Sequence, residues 1–375
     1  ALFKTSSQSV THMFDLRLDE IPLPASKNNR ENLVSWIIDT LCLHRRRGEP
    51  TTDDGVFSPI HRILSEHLFN NPSRGYETRE LADELGLTPA AIHHHFARLV
   101  SAGLVSTSSG KGWRSYYLVG GSITKAVTSM KVRAQLIHSQ RLELLDQVWN
   151  RGKNVAMAIE LPPDGKPSAL IRIKEWGPLE EGESELSRFM ADMGLLGERP
   201  GKEIKPESLS VKIFEMLLNS GPPISIDEAA RILKGPKPRV GRILERFRST
   251  GLVERVARTD RLSTALWSAM TTQYTRRGED WMLKKGGFER LSVPNSILKN
   301  LKKGNCKPET IARALKGMEP RSQMLLLNLL GGRLPLGHRL IGTDVSMLKK
   351  KSLGDLDRIL RRIEKVGTLL EESNS

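Results

Sequence analysis

The sequence predicts a mainly α-helical protein with small β-hairpins, built from two similar helical units and a helical C-terminal region. Hydrophobic residues make up 38% of the 375 residues and aromatic residues only 5%, which favours several small aliphatic cores over one large core. Apolar residues recur at helical spacing in both units. The pattern around Ile92 and Phe96 returns 148 residues later, around Val240 and Leu244, which indicates an internal duplication.

Three helices and a hairpin are predicted in the first unit. "SPIHRILSEHLF" supplies the first apolar stripe, and "TRELADEL", with Thr78 as its N-cap, supplies the second. Gly86 ends that helix, because glycine readily adopts positive φ. "TPAAIHHHFARLV" forms the third helix, with Thr88 as N-cap and Pro89 in the first position. The runs on either side of "SSGKG" predict two strands and a flexible basic tip.

The stretch "TRELADELGLTPAAIHHHFARLVSAGLV" and the hairpin after it resemble the ArsR/MarR-like winged helix-turn-helix superfamily, over roughly Val56 to Val119. The same domain also binds RNA and proteins, so the fold alone does not fix the partner. The resemblance implies a set of residues that face nucleic acid on the recognition helix and the wing: Ala90, Ala91, His93, His94, Arg98, Lys111 and Arg114.

The consecutive histidines favour nucleic-acid contact over a metal site. His93 and His94 are adjacent, so their side chains point about 100° apart and cannot chelate one ion as an i, i+4 pair does. His95 lies toward the buried face. Soft-metal sensors rely on thiolates, and no cysteine cluster accompanies these residues. We therefore expect no bound metal, and contact with phosphates or base edges, with a solvated face as the alternative.

The second copy completes a predicted architecture of tandem winged helix-turn-helix domains. "SIDE" forms a capping box, "PRVGRILERFRSTG" the recognition helix, and "VERVARTDRLSTALW" the wing. Arginine suits phosphates and guanine edges, so the basic residues here are expected to contact nucleic acid, although a solvated charged face is the simpler alternative. These residues are Lys237, Arg239, Arg242, Arg246 and Arg248 on the helix, and Arg258 and Arg261 in the wing.

The remaining segments are assigned by composition and pattern. We expect an N-terminal arm and helix (1–50), the first winged helix (51–121), a long helix, β-hairpin and linker (122–205), the second winged helix (206–270) and a basic helical C-terminal region (271–375). The long helix could form a homodimer interface or pack on its own domain. Residues 271–375 carry 21 Lys and Arg against 11 Asp and Glu, and Lys284, Lys285, Lys302 and Lys303 are expected to contact nucleic acid.

Charge points to a polyanionic partner. The net charge is +15, and no apolar run is long enough to span a bilayer. The N-terminal residues lack the apolar core of a signal peptide, and the two cysteines exclude a disulfide framework, so a cytoplasmic location is expected. The sequence contains no recognisable catalytic motif, so neither enzymatic activity nor a cofactor is expected.

Two functions are compatible with these sequence features. The favoured one is a DNA-binding transcriptional regulator. The alternative is an RNA- or ribosome-binding factor, because a duplicated winged helix with basic extensions is similar in architecture to archaeal factors that dimerise small ribosomal subunits in a dormant, hibernating state.

Overall fold

The structure, a computed structural model, describes residues 13–25, 29–44, 52–53, 56–109, 114–149, 158–162, 170–197 and 205–373. It is mainly helical with small antiparallel sheets, which confirms the predicted class. Within the described ranges the buried apolar side chains form three clusters. Two of these clusters belong to the predicted units, and the third lies in a helical insertion described below.

The first half begins with a strand and a helix and continues with the predicted three helices and hairpin. Its elements are β1 (Asp15–Asp19), α1 (Arg30–Thr40), β2 (Thr52–Asp53), β3 (Val56–Phe57), α2 (Pro59–Arg62, continued by a π-helical segment Ile63–Leu68), β4 (Tyr76–Glu77), α3 (Thr78–Leu85), α4 (Pro89–Ser101), β5 (Val105–Ser109) and β6 (Arg114–Leu118). The sheet has the order β4-β6-β5, with Tyr76 opposite Tyr116 and Val105 opposite Leu118. This is the arrangement of a winged helix-turn-helix.

The segment after the first unit does not form the predicted hairpin. After a 3-10 turn (Val119–Gly121) its elements are α5 (Ile123–Leu142), α6 (Leu144–Val148), β7 (Ala158–Glu160), β8 (Leu170–Lys174) and α7 (Glu185–Asp192). β8 pairs with β1, whereas β7 joins the sheet of the second unit. The hairpin prediction was wrong because alternation identifies a strand with one buried face and does not identify its partner.

The second unit has the two predicted helices, preceded by a further helix, but a different wing. The remaining elements are α8 (Leu209–Asn219), α9 (Ile226–Ile232), α10 (Lys237–Ser249), β9 (Val253–Arg258), a 3-10 turn (Thr259–Arg261), α11 (Leu262–Lys284), a 3-10 turn (Phe288–Arg290), α12 (Pro294–Lys302), α13 (Pro308–Ala314), α14 (Pro320–Leu329), β10 (Leu336–Leu340) and α15 (Val345–Glu372). β9 pairs with β10, not with a strand that follows directly. The predicted wing was wrong because Leu262 and Leu266 continue as a buried helical stripe.

Helices α11 to α14 form an insertion between β9 and β10 with a core of its own. The ends of the insertion meet, because the N–H of Arg258 donates to the carbonyl of Pro335 at 2.8 Å. Within the insertion "IARALKGMEPR" repeats "AARILKGPKPR" of the second unit, and both stretches form a helix, a turn and the start of the next helix. The insertion therefore shares a short stretch of local sequence and structure with the second unit.

The C-terminal region returns to both units and is not a separate tail. β10 completes the sheet of the second unit, and α15 packs antiparallel along α5. Along this contact Lys131 Nζ lies 2.7 Å from Glu364, and the side chain of Gln135 donates to Asp357 at 3.0 Å. The first part of α15 lies in the core of the second unit, and its second part lies in the core of the first.

Candidate nucleic-acid interface

Helix α4 is placed by local sequence signals. Gly86 ends α3 with φ of 66°, which turns the chain sharply. The Thr88 hydroxyl accepts from the N–H of Ala91 at 3.3 Å, so Thr88 caps α4 as predicted. Ile92 and Phe96 are completely buried. The opposite face is left at the surface, with Ala90 exposed as the resemblance implies.

His93 connects the recognition helix to the second strand of the wing. Its Nδ1 and the hydroxyl of Tyr116 share a hydrogen bond of 2.9 Å, and the Tyr116 ring stacks on Phe96 with centroids 4.3 Å apart. His93 and Arg114, both predicted site residues, line one cleft of about 420 Å³. Arg79 also lines this cleft and was missed, although its place in the first turn of α3 could have indicated it.

The other predicted site residues of the first unit differ in their exposure and in their contacts. His94 is exposed and Ala91 is half-buried on the outer face of α4. Arg98 donates to the carbonyl oxygens of Leu43 and His44, which follow α1. The prediction for Arg98 therefore needs correction, because its guanidinium fastens the N-terminal segment to the recognition helix. Lys111 lies outside the described residues.

Helix α10 exposes a basic face. Val240 and Phe247 are completely buried, which turns Arg239 and Arg242 to the exposed side. Lys237 is also exposed, and its Nζ lies 2.6 Å from Oδ1 of Asp227. An exposed ion pair of this kind contributes little to stability and leaves the lysine accessible. Lys237, Arg239 and Arg242 are therefore brought together at the surface, as predicted.

Arg246 and Arg248 lie nearer to the protein body. Arg246 is half-buried and donates to the carbonyl of Leu196 at 2.9 Å. Arg248 donates to Glu245 at 2.7 Å. Both side chains are thus engaged within the protein, and the outer part of α10 is left to Arg239 and Arg242.

Arg258 was wrongly assigned to the interface. Its side chain is only 5% exposed, and it forms ion pairs with Glu228 and Asp260. Burial lowers the pKa of Arg258, but the hydrogen bonds with the two carboxylates outweigh this effect and raise it. Arg261 is half-exposed and bonds Glu228 at 3.0 Å, so it belongs to the same cluster. This cluster connects β9 and the turn after it to α9. The described chain has no wing tip at this point.

The lysines predicted from the C-terminal charge lie on elements other than α4 and α10. Lys284 and Lys285 are at the end of α11, and Lys302 and Lys303 are at the end of α12. All four are exposed. They belong to the helical insertion, and the described structure does not place them on α4 or α10.

Comparison with known proteins supports the first unit. Residues 71–107 match the family described as "Bacterial regulatory protein, arsR family". The match contains α3, α4 and the start of β5, so it confirms one helix-turn-helix of the superfamily that the sequence resembles. No curated protein and no solved structure matches the chain significantly. No helix in the described part of the chain is long and apolar enough to cross a membrane.

Proposed function

We propose that the protein is a DNA-binding transcriptional regulator that reads duplex DNA with α4 and α10. The observation that carries the proposal is the family match over α3 and α4. Helix α4 has an exposed face, and Arg114 and His93 line a cleft beside it. Helix α10 supplies a second and more basic face through Arg239 and Arg242. Arginine forks in these positions suit phosphates and guanine edges.

The second unit is part of the proposal as a divergent winged helix. Two observations support it. Ile224 bridges His338 as Tyr76 pairs with Tyr116, so β10 lies between this bridge and β9 as β6 lies between β4 and β5, and β7 is an additional strand on the other side of β9. Val253 lies opposite Leu340, as Val105 lies opposite Leu118. In this interpretation the helical insertion replaces the tip of the second wing.

The test is a duplex selection assay followed by binding measurements over a salt series. Arg239→Glu with Arg242→Glu should weaken binding to the selected duplex and flatten the slope of log K against log salt by about two, because about one unit is lost per phosphate contact. Lys350→Glu with Lys365→Glu makes the same charge change on exposed positions of α15 and is the matched control.

Three outcomes decide between the functions. A selected motif together with a loss confined to the α10 variant supports the proposal. Equal losses in both variants would mean that only net charge matters. A protein that selects no duplex motif but co-sediments with ribosomal subunits would contradict the proposal and favour the RNA-binding alternative.

A further inference from the structure

The two halves of the chain are built from equivalent elements beyond the winged helices. β1 and β8 each precede a helix, α1 or α7, that leads into a helical unit. Both helices end in the same way: Leu43 N–H donates to Ile38 at 2.9 Å, and Leu195 N–H donates to Met190 at 2.8 Å. The residue before each of these leucines has positive φ: Cys42 at 50° and Gly194 at 78°. The equivalence therefore extends to backbone detail.

The elements after the two sheets are equivalent as well. β6 is followed by Gly120 with φ of 74°, and β10 is followed by Gly342 with φ of 79°. Ser122 then caps α5, and Asp344 caps α15, each through a side chain that accepts a backbone N–H. Each half therefore contains, in the same order, a strand, a helix, a three-helix unit with its sheet, and a long helix.

The equivalent elements meet each other across a local twofold axis. β1 and β8 pair antiparallel, and Arg17 lies directly opposite Arg172, its equivalent in the other half. Helices α5 and α15 also pair antiparallel. There Gln135 hydrogen-bonds Asp357, and each of these residues stands twelve positions after the first residue of its helix. Contacts between equivalent residues are what a twofold axis requires, so the chain is arranged as a dimer within one polypeptide.

The recognition faces flank the strand pair on this axis. One cleft, of about 220 Å³, lies between Arg17 and the His94 and Arg98 side of α4. Another, of about 280 Å³, lies between Arg17, Arg172 and Arg246 of α10. The equivalence holds here too, because Arg98 and Arg246 occupy matching helix positions and each donates to a carbonyl of the loop that follows α1 or α7.

We infer that one chain binds one duplex with two unlike half-sites, and that the backbone between the half-sites passes over the β1–β8 strand pair at Arg17. Arg172, opposite Arg17, already donates to Asp15 at 2.7 Å. This inference rests on the proposed function. Twofold-related recognition helices bind half-sites about one helical turn, roughly 10 base pairs, apart. In this protein, one half would contact the duplex with His94 of α4 and a wing, and the other half with Arg242 of α10 and the helical insertion. Different contact surfaces require different base sequences, so the duplex is not a true palindrome.

Stoichiometry gives the first arm of the test. Light scattering after gel filtration should give the mass of one chain, 42.0 kDa, for the free protein, and one chain per selected duplex for the complex. Two chains on each duplex, with a palindromic motif, would overturn the inference and leave the proposed function intact. Failure to select any duplex would overturn the proposed function and this inference with it.

Half-specific variants give the second arm. Ala90→Glu with His94→Glu should remove hydroxyl-radical protection from one half of the duplex, and Arg239→Glu with Arg242→Glu should remove it from the other. Loss of protection in the same positions with both pairs of substitutions would contradict two unlike half-sites. Circular dichroism of each variant shows whether it is folded.

The contact at Arg17 is tested separately. Arg17→Glu should weaken binding about tenfold or more and flatten the salt slope by about one unit or more, while protection of each half-site keeps its position. Lys350→Glu, which reverses one exposed charge on α15, is the control. Unchanged affinity and slope for Arg17→Glu would show that the backbone does not pass over this strand pair.

Discussion

At the scale of single residues, a buried ion pair joins Arg141 of α5 to Asp192 of α7. Their atoms lie 2.6 Å apart, and the side chains are only 3% and 2% exposed. Burial raises the pKa of Asp192, although the nearby charge of Arg141 opposes this. A buried pair adds little net stability when intact, but removal of one partner leaves an uncompensated charge in the interior.

Asp192→Ala should therefore lower the free energy of unfolding by about 3–5 kcal/mol in urea denaturation. Glu66→Ala, which breaks the surface pair with Arg62, is the control and should cost about 0.5 kcal/mol or less. Combining Asp192→Ala with Arg141→Met should recover much of the loss, because no fully buried unpaired charge then remains; Lys174, 3.8 Å from Asp192, is partly exposed to solvent. An equal small cost for Asp192→Ala and the control would show that the pair is not desolvated.

A site residue could be identified from sequence when its exposure depends only on its own helix, and not when it depends on distant parts of the chain. Arg239 and Arg242 were identified because one helix and its apolar stripe fix which residues face outward. Arg258 was misassigned because its burial depends on Glu228 and on a strand about eighty residues away. Arg17, which only the inference above assigns to the interface, could not be singled out because "DLRLD" alone does not reveal its pairing with "LIRIK".

At the scale of elements, the same distinction separates helices from sheets. The apolar spacing of α3, α4, α9 and α10 lies within each segment, as do the caps Gly86, Thr88 and Ser225, so the existence and type of these helices followed from sequence. Thr78, expected to cap α3, is instead its first residue. β1 pairs with β8, and β9 pairs with β10, across long separations. Strand pairing at such distances is set by the packing of the whole chain, and periodicity contains no information about it.

The helical insertion should be removable as a unit. The core of the second unit includes none of its residues, and Arg258 and Pro335 are already hydrogen-bonded neighbours. Replacing residues 259–334 with Asn-Gly, which favours a two-residue hairpin turn, should leave a folded protein with the helix signal of the remaining elements. Because Lys284 and Lys302 are lost with the insertion, the salt slope of binding should also fall.

A chain that ends after Met270 is the informative comparison for this excision. It lacks β10 and α15, which complete the second sheet and cover α5. We expect this truncated chain to lose cooperative unfolding in circular dichroism, whereas the excised variant keeps it. Loss of cooperativity in the excised variant as well would show that the insertion is needed for the fold of the second unit.

At the scale of the whole molecule, α5 and α15 join the two halves, and a buried histidine lies in their contact. His138 is 1% exposed, and its Nε2 lies 2.8 Å from the Ser352 hydroxyl. Burial lowers the pKa of His138 to about 4. In the sheet of the second unit, burial likewise lowers the pKa of His338 to about 4, although Glu245, 3.8 Å away, opposes the shift.

Acid should therefore destabilise both halves together. Each histidine is neutral in the folded protein and takes up a proton below about pH 6.5 when unfolded, so stability is complete above that pH and declines as the pH falls toward 4. The loss is on the order of 3 kcal/mol per histidine by pH 4.

His138→Gln should reduce the dependence of unfolding free energy on pH between 6.5 and 4, measured by urea denaturation at several pH values. A parallel pH profile for His138→Gln and the unmodified protein would mean that the α5–α15 contact admits water and does not hold the histidine neutral.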